Sequence, residues 1–169
     1  MKPLQSVAMG LVIVVLVARF GGYDALADPV GWLLVLWGVR RLPDPTTLLV
    51  LAAAALVVAC AVWFPATQQL LDDGDPSLRW AVNLPQVLFA LVLCRHLAGI
   101  AGAAGDQRAR AWLRTAVVLN AVLAVAPVLV FASSADELIA SVYAAAAGVA
   151  LLLIVLLFAY ASRPWAPGS

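Results

Sequence analysis

Residues 21–42, GGYDALADPVGWLLVLWGVRRL, set the number of times this chain crosses a bilayer. From Val30 to Val39 every residue except Gly31 and Gly38 is large and apolar, so a helix here has no polar face before Arg40 and Arg41. A helix lying in the interface needs a polar face, and its absence favours a crossing segment. A helix over 29–42 is only about 21 Å long at 1.5 Å per residue, short of a hydrocarbon core about 30 Å thick. Begun near Gly22 it is long enough, but it then carries Asp24 and Asp28. Asp28-Pro29 is a natural helix start or kink, because Asp caps and Pro fits a first turn. We read 23–42 as a short, Pro-broken span. The alternative is a re-entrant or interfacial piece.

Outward from this stretch lie five more apolar runs, at 4–20, 46–64, 80–100, 112–132 and 138–160. Each is near the ~17–25 residues a crossing helix needs, and lipid forces each to be helical because unpaired backbone groups are not tolerated there. The expected fold is all-α: a polytopic transmembrane helical bundle of six spans, or of five spans plus a re-entrant or interfacial segment. No boundary divides 1–162, and 163–169 form a short tail. Composition agrees: 65% of residues are hydrophobic and 11% charged, against about 25% charged in a soluble domain. The mean hydropathy is +1.04.

The breaks between runs are distinct. Leu42-Pro43-Asp44-Pro45 predicts a tight connection, with Thr46 or Thr47 as N-cap. Residues 65–79 predict a polar loop, and Ser133–Glu137 a turn in which Asp136 and Glu137 suit a helix start. Gly99, Gly102 and Gly105 predict close helix packing running into a flexible loop. Trp63, Trp80, Trp112 and Trp165 fall at run ends, where an indole prefers to sit.

Basic residues orient the chain. With six spans, Lys2, Arg40, Arg41, Arg95, Arg108, Arg110, Arg114 and Arg163 lie inside, leaving Arg19 and Arg79 outside. Both termini are then cytoplasmic, in the cell membrane. With five spans Arg19 replaces Lys2, so charge does not separate the two arrangements. Ala25-Leu26-Ala27 before Asp28 has the form of a signal-peptide cleavage site. The nearby Arg and Asp, and the multi-spanning remainder, argue that the segment is retained.

Several function classes drop out. The net charge of +1 offers nothing to nucleic acid. Cys60 and Cys94 form no CxxC pair and predict buried free thiols. The single histidine, His96, excludes a multi-His metal site within one chain. No protease, hydrolase, P-loop or dinucleotide motif occurs. We expect no catalytic constellation, no cofactor and no enzyme.

The order Asp24, Asp28-Pro29, Gly31-Trp32, an apolar run, then Gly38-x-Arg40-Arg41-Leu42 resembles a segment of small multi-pass bacterial membrane proteins of uncharacterised function. The resemblance covers residues 24–42. It implies a small bacterial membrane protein and brings no known activity.

Few polar residues fall at membrane depth, and ionisable groups are expensive there. Asp28 reads as an N-cap or as a cation-handling carboxylate at a helix break. Arg19 reads as snorkelling to headgroups or as pairing with Asp24 or Asp28. Asn83 and Gln86 flank Pro85 and share a helix face. With Asn120 and Asp28 they form a candidate polar niche, whose plainer reading is interhelical hydrogen bonding. Arg95 and His96 read as interfacial. Arg40, Arg41, Arg108, Arg110 and Arg114 read as cytoplasmic-face residues that orient the chain and contact anionic lipid.

Two functions follow. The first is association, as a homo-oligomer or an accessory subunit of a membrane complex, supported by short loops and by the small-residue strip Ala144–Gly148. The second is a small transporter or channel with a proton- or cation-linked niche near Asp28, Asn83, Gln86 and Asn120. The partners implied are the lipid bilayer and a membrane protein or a second copy.

Overall fold

The computed structural model describes residues 2–16, 19–20, 23–24, 28–74, 76–132 and 139–166. These residues form helices α1 (Pro3–Val15), α2 (Asp28–Val39), α3 (Thr46–Val62), α4 (Pro65–Asp72), α5 (Pro76–Ala103), α6 (Gln107–Ala132) and α7 (Ile139–Tyr160). The other regular element among the described residues is a two-residue antiparallel pair, β1 (Arg19–Phe20) with β2 (Tyr23–Asp24). The expected turn at Ser133–Glu137 and the cleavage motif at Ala25–Ala27 lie outside the described residues.

Apart from that pair the regular structure among the described residues is helical, and three of the described helices are long and apolar enough to cross a membrane: Trp80–Ala103, Gln107–Val130 and Ala140–Tyr160. The apolar helices Pro3–Val15, Asp28–Val39 and Thr46–Val62 are shorter. The structure therefore does not support six spans. The run 4–20 is helical only to Val15. In the run 23–42, Tyr23–Asp24 belong to the extended pair and the described helix is Asp28–Val39, of 12 residues. Asp28-Pro29 opens α2, as expected, since Pro fits the first turn of a helix.

Two other expectations change. Residues 65–79 are not simply a loop: Pro65 and Pro76 each open a helix, and neither needs the backbone N–H that proline lacks. Thr46 and Thr47 do not cap α3, because Pro45 occupies the N-cap without a side-chain bond.

By contact, the chain divides into one unit of Met1–Asp73 with Ile154–Ser169 and another of Gly74–Leu153. In the first unit α2 packs against α1 and α3. The α1–α2 seam is closed by glycines. A Cβ built at Gly31 would lie 2.6 Å from the Gly10 carbonyl oxygen, and one at Gly38 would lie 2.7 Å from that of Pro3. Ser6 Oγ donates to the Leu34 carbonyl at 3.1 Å across the same seam. Leu4, Val7, Trp32, Val35 and Val39 are buried. On α3 the buried residues Leu48, Ala52, Ala55 and Ala59 recur at helical spacing, and the alanines allow close approach.

In the second unit α5 and α6 form an antiparallel hairpin. Phe89, Leu93, Leu97 and Ala101 pack on one side; Ala109, Leu113, Ala116 and Asn120 are buried on the other. The turn is tight rather than a flexible loop. Gly105 sits at φ +80, donating to the Gly102 carbonyl at 3.2 Å, while the Asp106 N–H donates to the Ala101 carbonyl at 2.9 Å. This is a Schellman closure, which satisfies carbonyls that the end of α5 would leave bare. Asp106 then caps α6, with its Oδ1 accepting from the Ala109 N–H at 3.0 Å.

Candidate functional site

The α5–α6 turn brings three cations to one cleft. Arg95 and Gly99 on α5, and Arg110, Arg114 and Val118 on α6, line a cavity of about 600 Å³. The small residues of α5 make the room. A Cβ at Gly102 would lie 2.9 Å from Arg110 Cδ and 3.1 Å from its Nε, so the Arg110 side chain lies across the α5 backbone there. A Cβ at Gly99 would meet nothing within 4 Å, so that wall is open. Among the described residues no carboxylate pairs with Arg95, Arg110 or Arg114. Arg108 is exposed and does not line the cleft.

The sequence groups Arg95 with His96, but successive helical positions point about 100° apart. Arg95 lines the cleft, whereas His96 is half-buried and its Nε2 has no hydrogen-bond partner among the described residues. The sequence signals that locate the cleft are the i, i+4 spacing of Arg110 and Arg114 and the glycines opposite them. They do not reveal that Arg95 joins them, because that depends on the register of the hairpin.

The proposed niche residues are distributed as follows. Asn120 is 5% exposed, and its Nδ2 donates to the Ala116 carbonyl of its own helix at 2.8 Å. Gln86 is half-buried and Asn83 exposed. In a hairpin closing at Gly105, Asn120 is level with about residue 90, roughly 6 Å along α5 from Gln86 and roughly 10 Å from Asn83 at 1.5 Å per residue. Asp28 opens α2, in the other unit. For the proposed ion pair, the backbone register sets Arg19 opposite Asp24. Their side chains lie outside the description.

Arg40 and Arg41 are exposed beyond α2, and the Arg41 guanidinium lies 4.9 Å from the Trp37 ring centre, a cation–π contact. Cys94 is buried, but Cys60 is exposed, contrary to the expectation of two buried thiols. Trp165 packs on Tyr160 with ring centres 5.7 Å apart, which folds the residues after α7 back on it.

On α7, Ala144, Ala145, Ala147 and Gly148 are exposed. A Cβ at Gly148 would meet nothing within 4 Å, in contrast to the filled surroundings of Gly10, Gly31 and Gly38. No protein family, curated protein or solved structure matches the chain.

Proposed function

We propose that this chain is a small multi-pass membrane protein that works by helix–helix association, as a homo-oligomer or as an accessory subunit of a membrane complex. The open face around Gly148 carries the reading. Elsewhere in the chain, at Gly10, Gly31 and Gly38, glycine marks the place where a second helix backbone approaches. Gly148 stands beside the small residues Ala144, Ala145 and Ala147, and its surroundings are empty. In lipid, small residues at one face favour packing against another helix rather than against acyl chains.

The three shorter apolar helices accompany the three long ones in the cell membrane, and where all six cross it both termini are cytoplasmic. The arginines at the α2–α3 and α5–α6 connections support the inner placement of those two connections, since basic residues stay inside.

The test is the mass of the detergent-purified protein by light scattering, with mass spectrometry of whatever co-elutes. Wild type is expected to run as an oligomer or with a stoichiometric partner, and Gly148→Leu as a folded monomer. A wild-type monomer without partner would overturn the reading.

A further inference from the structure

Arg110 and Arg114 stand four residues apart on one face of α6, where like charges repel. Arg95 adds a third guanidinium from α5. Asp106, which caps α6 one turn before Arg110, is the one acid at this end of the hairpin, and no acid is among the residues lining the cleft, so three cations against one carboxylate leave positive charge that an external anion would neutralise. Its other walls are small or apolar, with Ala98, Gly99 and Val118 among them. A volume of about 600 Å³ is within the ~300–1,000 Å³ of small-molecule sites.

The depth of the cleft in the bilayer follows from the tryptophans. Trp112 is exposed on α6 and level with about residue 98 of α5. Trp80, near the other end of α5, is therefore about 27 Å away at 1.5 Å per residue, close to the ~30 Å core that aromatic belts bracket. The cleft thus lies at the inner headgroup level. Arg95 sits slightly within it, where a long cationic side chain reaches back toward phosphate.

We propose that the α5–α6 cleft binds the phosphate headgroup of an anionic lipid, with Arg95, Arg110 and Arg114 as its donors and Gly99 and Gly102 giving it room. Guanidinium presents paired N–H groups that match phosphate oxygens, and the apolar wall beyond them accepts the glycerol and first methylenes of the lipid. Gly102 holds Arg110 against α5, so its guanidinium is presented to the cleft rather than dispersed in water. This site stands on membrane placement alone and is independent of association at Gly148.

Calorimetric titration of the full chain in a neutral detergent tests it, with short-chain phosphatidylglycerol, phosphatidylcholine and inorganic phosphate as probes. Phosphatidylglycerol is expected to bind saturably, one per chain, and phosphatidylcholine at least about tenfold more weakly, because its phosphate is the same but its choline cation is set against three guanidiniums, and like-charge juxtaposition is costly. Arg110→Gln and Gly99→Leu should each weaken phosphatidylglycerol by about tenfold, the loss expected when a charged hydrogen-bond partner goes missing. Gly99→Leu keeps every charge and improves helix propensity, so its effect reports occupancy of the cleft. Arg108→Gln should bind as wild type. Equal weakening by Arg108→Gln or no effect of Gly99→Leu would overturn the site in favour of diffuse surface charge, and equal binding of phosphatidylcholine would overturn the anionic lipid as its ligand. Inorganic phosphate binding as tightly as the lipid would retain the phosphate chemistry and overturn the lipid as its source.

Discussion

Gly10 and Gly31 face each other across the α1–α2 seam, and a Cβ on Gly31 would lie 2.6 Å from the Gly10 carbonyl oxygen. The obstructing atom is backbone, so no rotamer change relieves the contact. Gly31→Ala must push the two helices apart and is expected to cost about 1–3 kcal/mol, as for an overpacked core. Chemical denaturation in detergent, followed by the loss of helical circular dichroism, measures this. An unchanged midpoint would mean the seam is looser than its geometry.

Ser6 crosses the same seam by hydrogen bonding rather than by shape. Its Oγ donates to the Leu34 carbonyl at 3.1 Å. That carbonyl is within a helix and already has a backbone donor, so little is left unsatisfied when the hydroxyl is removed. Ser6→Ala should therefore cost only about 0.6 kcal/mol, the average for interhelical bonds in a membrane protein. The ranking of the two variants is the informative result; a Ser6→Ala loss exceeding that of Gly31→Ala would contradict it.

The α5–α6 turn rests on Asp106, which receives the Ala109 N–H at 3.0 Å. Asp106→Ala removes the cap and is expected to destabilise the start of α6 by about 1 kcal/mol. Faster amide hydrogen exchange confined to the first turn of α6 would register it. Gly105→Ala, at φ +80, should cost about 1–2 kcal/mol for the left-handed backbone and weaken the Schellman closure as well.

Asp28 and Asn120 discriminate association from transport. Asn120 spends its amide on the Ala116 carbonyl of its own helix. Under the association reading, Asn120→Ala costs about 0.5–1.5 kcal/mol, as for an ordinary intramolecular hydrogen bond, and proteoliposomes of wild type and Asp28→Asn show the same low proton permeability. A pH-driven flux present in wild type and lost in Asp28→Asn would replace that reading with the transporter.

The helices that read most directly are those whose apolar run is bounded by unambiguous breaks. Residues 138–160 predict α7 almost to the residue, because Ala and Leu continue until the basic, Pro-rich end. Residues 80–100 and 112–132 predict α5 and α6 but miss their polar first turns, which Pro76 and Asp106 start outside the apolar core. Residues 4–20 and 23–42 mislead, since hydropathy continues past Val15 and begins before Asp28 although the backbone there is not all helical. Hydropathy reports what lipid tolerates, and extended backbone of the same composition scores equally well.

The candidate sites divide along the same line. Arg110 and Arg114 are recognisable as neighbours from their spacing on one helix. Their meeting with Arg95 is not, because it depends on how α5 and α6 register at the Gly105 turn. Gly31 and Gly38 read locally as interruptions in an apolar helix, and only the approach of the α1 backbone gives them a role.

The amino-acid order alone establishes a helical membrane protein, the place of most helix breaks and the segregation of arginine to the connections. Each of these follows from local energies: the transfer of side chains into lipid, the missing N–H of proline, and the cost of moving charge across the core. Which glycine is filled and which is open, and which three arginines share a cleft, emerge from packing between residues distant in the chain. That packing is governed by shape at the ångström scale, where Gly31 against Gly10 and Gly148 against nothing differ although both are glycines in apolar helices.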